Sequence, residues 1–232
     1  MQIYPTSSLP RFRPWNTSTL AWKAVDDRVR GGSSQSYLNP LKNGNPCKAS
    51  ARFHGVLDTK TLGGAGFASQ STSAVSSDNQ TPEEPIWDLS SYDGLVLGIA
   101  SADSKVYTIT LKDDLPDSQR DDGRERSGIS WEADFKLRRS DLIDYNFPDV
   151  LVARTGKEND SKYVMKIPWS AFRATYRGRD KPGELLQTTH IRRFGLMMRS
   201  FFERQDGMFE QRIDYIDAYH TKSTEGDTGE NN

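Results

Sequence analysis

The chain has 232 residues, a mass of 26.2 kDa, 31 basic against 32 acidic residues, and a formal net charge of −1. That balance leaves no global field to draw in nucleic acid or an anionic membrane. The single cysteine, Cys47, excludes an internal disulfide framework and a cysteine-built zinc site, and points to a reducing compartment.

Mean hydropathy is −0.74, but aromatics at 10% can build a core from few side chains, and the length suits one large β domain. No apolar run reaches membrane-spanning length. Asn-x-Ser/Thr sequons at Asn16, Asn79 and Asn159 follow no secretory hydrophobic stretch and read as chance.

In chain order, residues 1–14 read as an extended arm, because Pro5, Pro10 and Pro14 break any helix. The segment up to Lys23 lacks acids and is rich in Ser and Thr, faintly like a transit peptide. Trp22 to Leu38 predicts a strand, a sharp turn through Gly31-Gly32, and the opening of a second strand; Asp27, Gly31, Gly32 and Ser34 mark it as a candidate site. Asn39 to Cys47 has turn chemistry, with two Asn-Pro steps and an Asn-Gly. Ala49, Ala51, Phe53 and Leu57 alternate with polar residues as a half-buried strand. Gly64 and its neighbours then lead into a strand anchored by Phe67, and Ser71 to Pro85 predicts a polar loop.

Tyr92-Asp93-Gly94 is a turn, followed by inward-facing Leu95, Leu97 and Ile99, then Tyr107, Ile109 and Leu111. Asp113 to Arg126 is a mixed-charge loop. Ile129, Trp131, Ala133, Phe135 and Leu137 form the longest strict alternation, and Val150 to Ala153 suits a short helix or strand. Tyr163, Met165 and Ile167 form a strand stopped by Pro168, leading through Ser170 to Phe172 into a basic loop at Arg177 and Arg179. Two closing strands over 191–200 and 209–219 precede a disordered tail over 221–232. Eight or nine short strands and no long helix predict an all-β fold, an antiparallel sandwich of jelly-roll type, as one domain over 15–220.

The chemistry tests mostly fail. Gly64-Ala65-Gly66 opens a dinucleotide fingerprint, but Ser69 stands at its third glycine and no helix follows. His54, His190 and His220 read as surface residues rather than bases for a serine. Asp113, Asp114, Asp117, Asp121 and Asp122 invite a calcium reading, but the loop lacks the EF-hand register and Arg120, Arg124 and Arg126 offset the acids. Glu132 and Asp134 share one strand face, which alone does not make an acid and a nucleophile. Trp131 and Phe135 suit a core face better than a sugar-stacking platform. Arg192 and Arg193, with Arg199 and Arg204, suit either a partner patch or a charged strand edge.

Several blocks together resemble the complex I intermediate-associated protein 30 family. Asp27, Val29, Gly31, Gly32 and Ser34 are similar to its Asp-x-aliphatic-x-Gly-Gly-x-Ser signature. Gly63-Gly64 with Phe67, Tyr92 to Leu95, Tyr107 to Lys112, Lys166 to Phe172, Arg177-Gly178, and Gly207 to Tyr219 resemble later blocks in the same order. The resemblance implies a galactose-binding-like jelly roll with no catalytic residues and no cofactor. Its partners would be complex I assembly intermediates and other assembly factors, with membrane association only through them. Mitochondrial localisation is implied, with a cytoplasmic paralogue as the alternative. From the residues of the signature turn, Asp27 is expected to accept hydrogen bonds from backbone N–H groups or hydroxyls of its own turn.

Overall fold

In the computed structural model, which describes residues 20–41, 50–74, 85–116, 121, 126–137, 150–154 and 163–221, the period-two runs become strands. They are β1 (Leu20–Ala24), β2 (Gln35–Leu41), β3 (Ser50–Leu57), β4 (Phe67–Ala74), β5 (Gly94–Ala102), β6 (Val106–Lys112) and β7 (Ser130–Lys136). Then come β8 (Leu151–Arg154), β9 (Tyr163–Pro168), β10 (Arg173–Tyr176), β11 (Arg179–Asp180), β12 (Arg193–Arg199) and β13 (Gly207–Tyr219). Among the described residues there is no α-helix, only short 3₁₀ turns.

The strands form two antiparallel sheets. One has seven strands in the order β1-β4-β12-β6-β7-β10-β11; the other has six, in the order β2-β3-β13-β5-β9-β8. The last two long strands do not add at an edge. β12 inserts between β4 and β6, and β13 between β3 and β5, so each sheet closes around a late strand. Inward side chains of both sheets make one core, including Phe53, Leu97, Ile99, Tyr107, Ile109, Phe135, Met165 and Ile213. Within it Phe53, Tyr107, Phe135 and Phe209 pack as an aromatic cluster, with ring centroids 5.1 to 6.4 Å apart.

Several sequence expectations need correction. Asn39 and Pro40 belong to β2, not to a turn; β2 is an edge strand, where proline removes no ladder bond. Ser71 to Ala74 belong to β4 and not to the expected polar loop: Thr72 is buried and β4 pairs with both β1 and β12, while residues 75–84 lie outside the described residues. The residues after Phe172 are not simply a loop but the hairpin β10–β11. Among the described residues thirteen strands stand where eight or nine were expected, in part because β10 and β11 are too short to show periodicity, while β8 settles the Val150 to Ala153 stretch as a strand. The 1–14 arm, Cys47 and the tail from residue 222 lie outside the described residues.

Candidate functional site

The signature stretch does not form a hairpin. β1 belongs to the seven-stranded sheet and β2 to the six-stranded sheet, with a 3₁₀ turn at Asp27–Arg30 between them. Two adjacent acids bind that corner together. Asp27, fully buried, accepts from Ser34 N–H at 3.0 Å, Ser34 Oγ at 2.6 Å and Phe67 N–H at 3.1 Å. Asp26 repeats the pattern one step along, accepting from Ser36 N–H at 3.1 Å, Ser36 Oγ at 2.6 Å and Ser69 N–H at 2.9 Å. Ser34 and Ser36 lie on the β2 side, and Phe67 and Ser69 on β4. Each carboxylate therefore bridges the two sheets where no ladder bond runs, and Asp26 also holds Arg28.

The glycines follow from this. Gly31 has φ 85°, a left-handed position that ends the 3₁₀ turn. Gly32 is needed for space, since a Cβ there would fall on the Asp27 carboxylate, and one at Gly66 would fall on the Asp58 carbonyl. Ser200 Oγ closes the corner, donating to the Gly64 carbonyl at 2.8 Å and accepting from Gly66 N–H at 3.0 Å. All four predicted signature residues thus meet in one place. Sequence reading missed Asp26, whose signal is its place in an acidic doublet answered by Ser34 and Ser36 at alternate positions.

At the far end of β13, other blocks of the resemblance make a second lock. Trp169 donates its indole N–H to the Tyr92 carbonyl at 2.5 Å, Asp93 N–H bonds the Tyr219 carbonyl at 2.9 Å, and Lys166 sits 4.7 Å from the Tyr219 ring centroid.

Glu132 and Asp134 lie side by side on the outward face of the seven-stranded sheet, both almost fully buried. Arg199 spans them, with Nη1 2.6 Å from Glu132 Oε2 and Nη2 2.5 Å from Asp134 Oδ2. Arg173 reaches Asp134 Oδ2 at 2.9 Å, while Thr175 and Thr108 donate to the remaining oxygens at 2.7 Å. Burial pushes the Glu132 carboxyl up, against the pull of Arg199. With every oxygen engaged by a cation or hydroxyl, the pair is braced as an ion-pair network and offers neither a free base nor a free acid. Arg199 also stacks 4.5 Å from the Phe201 ring centroid and lies across from Phe67, which links this network to the signature corner.

The other candidates disperse. Trp131 and Phe135 point into the core, as expected, so the specified sugar platform is absent. Arg193 and Arg199 lie at opposite ends of β12 and do not make one patch. Arg177 and Arg179 sit on the β10–β11 hairpin, separated from β12 by β6, β7 and β10. His54 lies on the polar side of β3, bonded to Asn39; His190 contacts Thr189 and His220 stacks on Tyr92. Among the described residues no serine–histidine pair forms, and no group of three or more metal-binding side chains occurs. Asp117 and Asp122 of the acidic loop lie outside the described residues; Asp113 accepts from Gln187 N–H. No described helix is long and apolar enough to cross a membrane.

The profile of the complex I intermediate-associated protein 30 family matches residues 11–162 and 154–213. The chain belongs to that family. An uncharacterized protein of Schizosaccharomyces pombe is 39% identical over 207 residues, covering 89% of this chain and 81% of that protein. In fold, the family 11 carbohydrate-binding module of Clostridium thermocellum, solved in complex with a β-1,3-1,4-mixed-linked tetrasaccharide, aligns with a TM-score of 0.53 over 91% of this chain and 95% of its own, at 12% identity. The same family's module from the cellulase Lic26A-Cel5E aligns at 0.51 over 91% and 94%, again at 12% identity. These two likenesses establish the jelly-roll sandwich and nothing about ligands. The family assignment carries a role related to complex I assembly.

Proposed function

We propose that this complex I intermediate-associated protein 30 family member is a non-enzymatic assembly factor that binds protein intermediates of mitochondrial respiratory complex I. The observation that carries the reading is the family match through residue 213, reaching into β13. The neutralised Glu132–Asp134 pair supports a binding role over hydrolysis, because neither carboxyl is free to exchange a proton with a substrate.

The partner surface is the outward face of the six-stranded sheet near β2. There Tyr37 is 49% exposed, Val56 48% and Met208 81%. Val56 and Met208 are cross-strand partners, and Tyr37 stacks on His54 in the next row. Phe202, 84% exposed, stands on the loop that enters β13. Arg52 and Glu210 pair beside them, giving aromatic, methionine and arginine chemistry of the kind that anchors protein interfaces. The signature corner serves as the frame for this face rather than as a contact.

Affinity purification of the tagged protein tests the proposal. Complex I subunits or their assembly factors should be recovered, and Met208→Asp should lose them without lowering the melting temperature. Recovery of an unrelated partner from the cytoplasm would reject the complex I reading.

A further inference from the structure

The β10–β11 hairpin turns in two residues, Arg177 and Gly178, at φ 54° and 76°, with Tyr176 paired to Arg179 across them. Such turns favour Gly, Asn or Asp at the first position, where the left-handed backbone is easily reached. Arginine there is a poor choice for the turn alone. It places the guanidinium 5.2 Å from the Tyr176 ring centroid, held against an aromatic face.

Beside it lies a cavity of about 340 Å³ lined by Arg126, Ser127, Tyr176 and Arg177. Among the described residues no carboxylate lines it, and none pairs with Arg126 or Arg177. Arg28, Arg52, Arg173 and Arg199, by comparison, each hold an acid. Of the neighbouring acidic loop, Asp113 is engaged by Gln187 N–H. Two cations with no described acidic partner share one concave site on a chain whose net charge is −1.

Two guanidinium forks and a serine hydroxyl match the oxygens of a phosphate monoester, which carries nearly two charges and can engage both cations. A carboxylate would occupy only one fork. The volume falls in the range of small-ligand sites, roughly 300–1,000 Å³, and leaves room for more than the phosphate itself. We infer that Arg126, Ser127, Tyr176 and Arg177 form a binding site for a phosphate monoester borne on a small organic molecule. The site lies on the seven-stranded sheet, so it stands or falls independently of the partner face around Met208.

Isothermal titration of the full chain with glucose 6-phosphate, glucose, inorganic phosphate and a phosphoserine peptide tests it. Glucose 6-phosphate should bind and glucose should not. Arg126→Gln and Arg177→Asn should each weaken binding about tenfold, the loss expected for one charge-assisted contact. Asn suits the turn, so Arg177→Asn should leave the melting temperature unchanged or higher, separating lost binding from lost folding. Affinity unaltered by both substitutions, or no difference between glucose 6-phosphate and glucose, would overturn the site. Inorganic phosphate binding as tightly as the ester would reduce it to adventitious anion capture. Tighter binding of the phosphoserine peptide would overturn its assignment to a small molecule.

Discussion

At the scale of single residues, the acidic doublet in the signature is the clearest case of sequence dictating structure. Asp27 satisfies a buried and a part-buried backbone N–H group and one hydroxyl, drawn from the two different sheets. Asp27→Ala should therefore destabilise the fold by about 3 kcal/mol, because donors buried without partners cost most. Thermal or denaturant melting checks this; an unchanged melting curve with lost partner recovery would return the signature to a binding role. Gly32→Ala should cost about 1–3 kcal/mol through contact with the Asp27 carboxylate, a cost typical of overpacking. The hydrogen-bonding habit of Asp27 was legible because aspartate beside glycine and serine commonly caps its own turn. What was not legible was the reach to Phe67 and Ser69, which are distant in sequence and close only after the sheets stack.

At the scale of elements, the outward face of the seven-stranded sheet depends on Arg199. Replacing it by Met leaves Glu132 and Asp134 buried without their shared cation, a loss of about 3–5 kcal/mol by the usual cost of breaking a buried ion pair. The sign of the pH dependence follows from burial. Glu132 already has its folded pKa raised, so the native state holds that proton more readily than the unfolded chain does. Its contribution to stability is greatest below the ordinary carboxylate range and falls as pH rises through the raised value. Without Arg199 the rise is larger, so the Arg199→Met deficit, followed by denaturant titration, should shrink as pH is lowered from 7 toward 5. A deficit that grows on acidification would contradict the account. Strict alternation revealed β7 because its inward face is wholly apolar. The same pattern gave no hint that the polar face was buried as well, since Glu132 and Asp134 look solvent-exposed until Arg199 arrives from β12. The β10–β11 hairpin was hidden for another reason: Arg-Gly is not the usual sequence of a two-residue turn.

At the scale of the whole molecule, strand order makes folding depend on the end of the chain. β13 pairs with both β3 and β5 in the middle of its sheet, and β12 plays the same part in the other. Ending the chain at residue 206 should abolish cooperative unfolding, whereas ending it at residue 221 should not; circular dichroism melts distinguish the two. The sandwich class was readable from strand spacing, because period-two patterning survives in any antiparallel sheet. The crossing of late strands into sheet centres was not, as pairing partners leave no local mark. Family membership supplies the functional direction, and the exposed Tyr37, Val56 and Met208 face is the place we propose for it to act. The most direct measurement is the amount of assembled complex I in a deletion strain complemented with wild-type protein or Met208→Asp. Assembly should fall in the deletion, recover with wild type and remain low with Met208→Asp; normal complex I in the deletion strain would contradict the assignment.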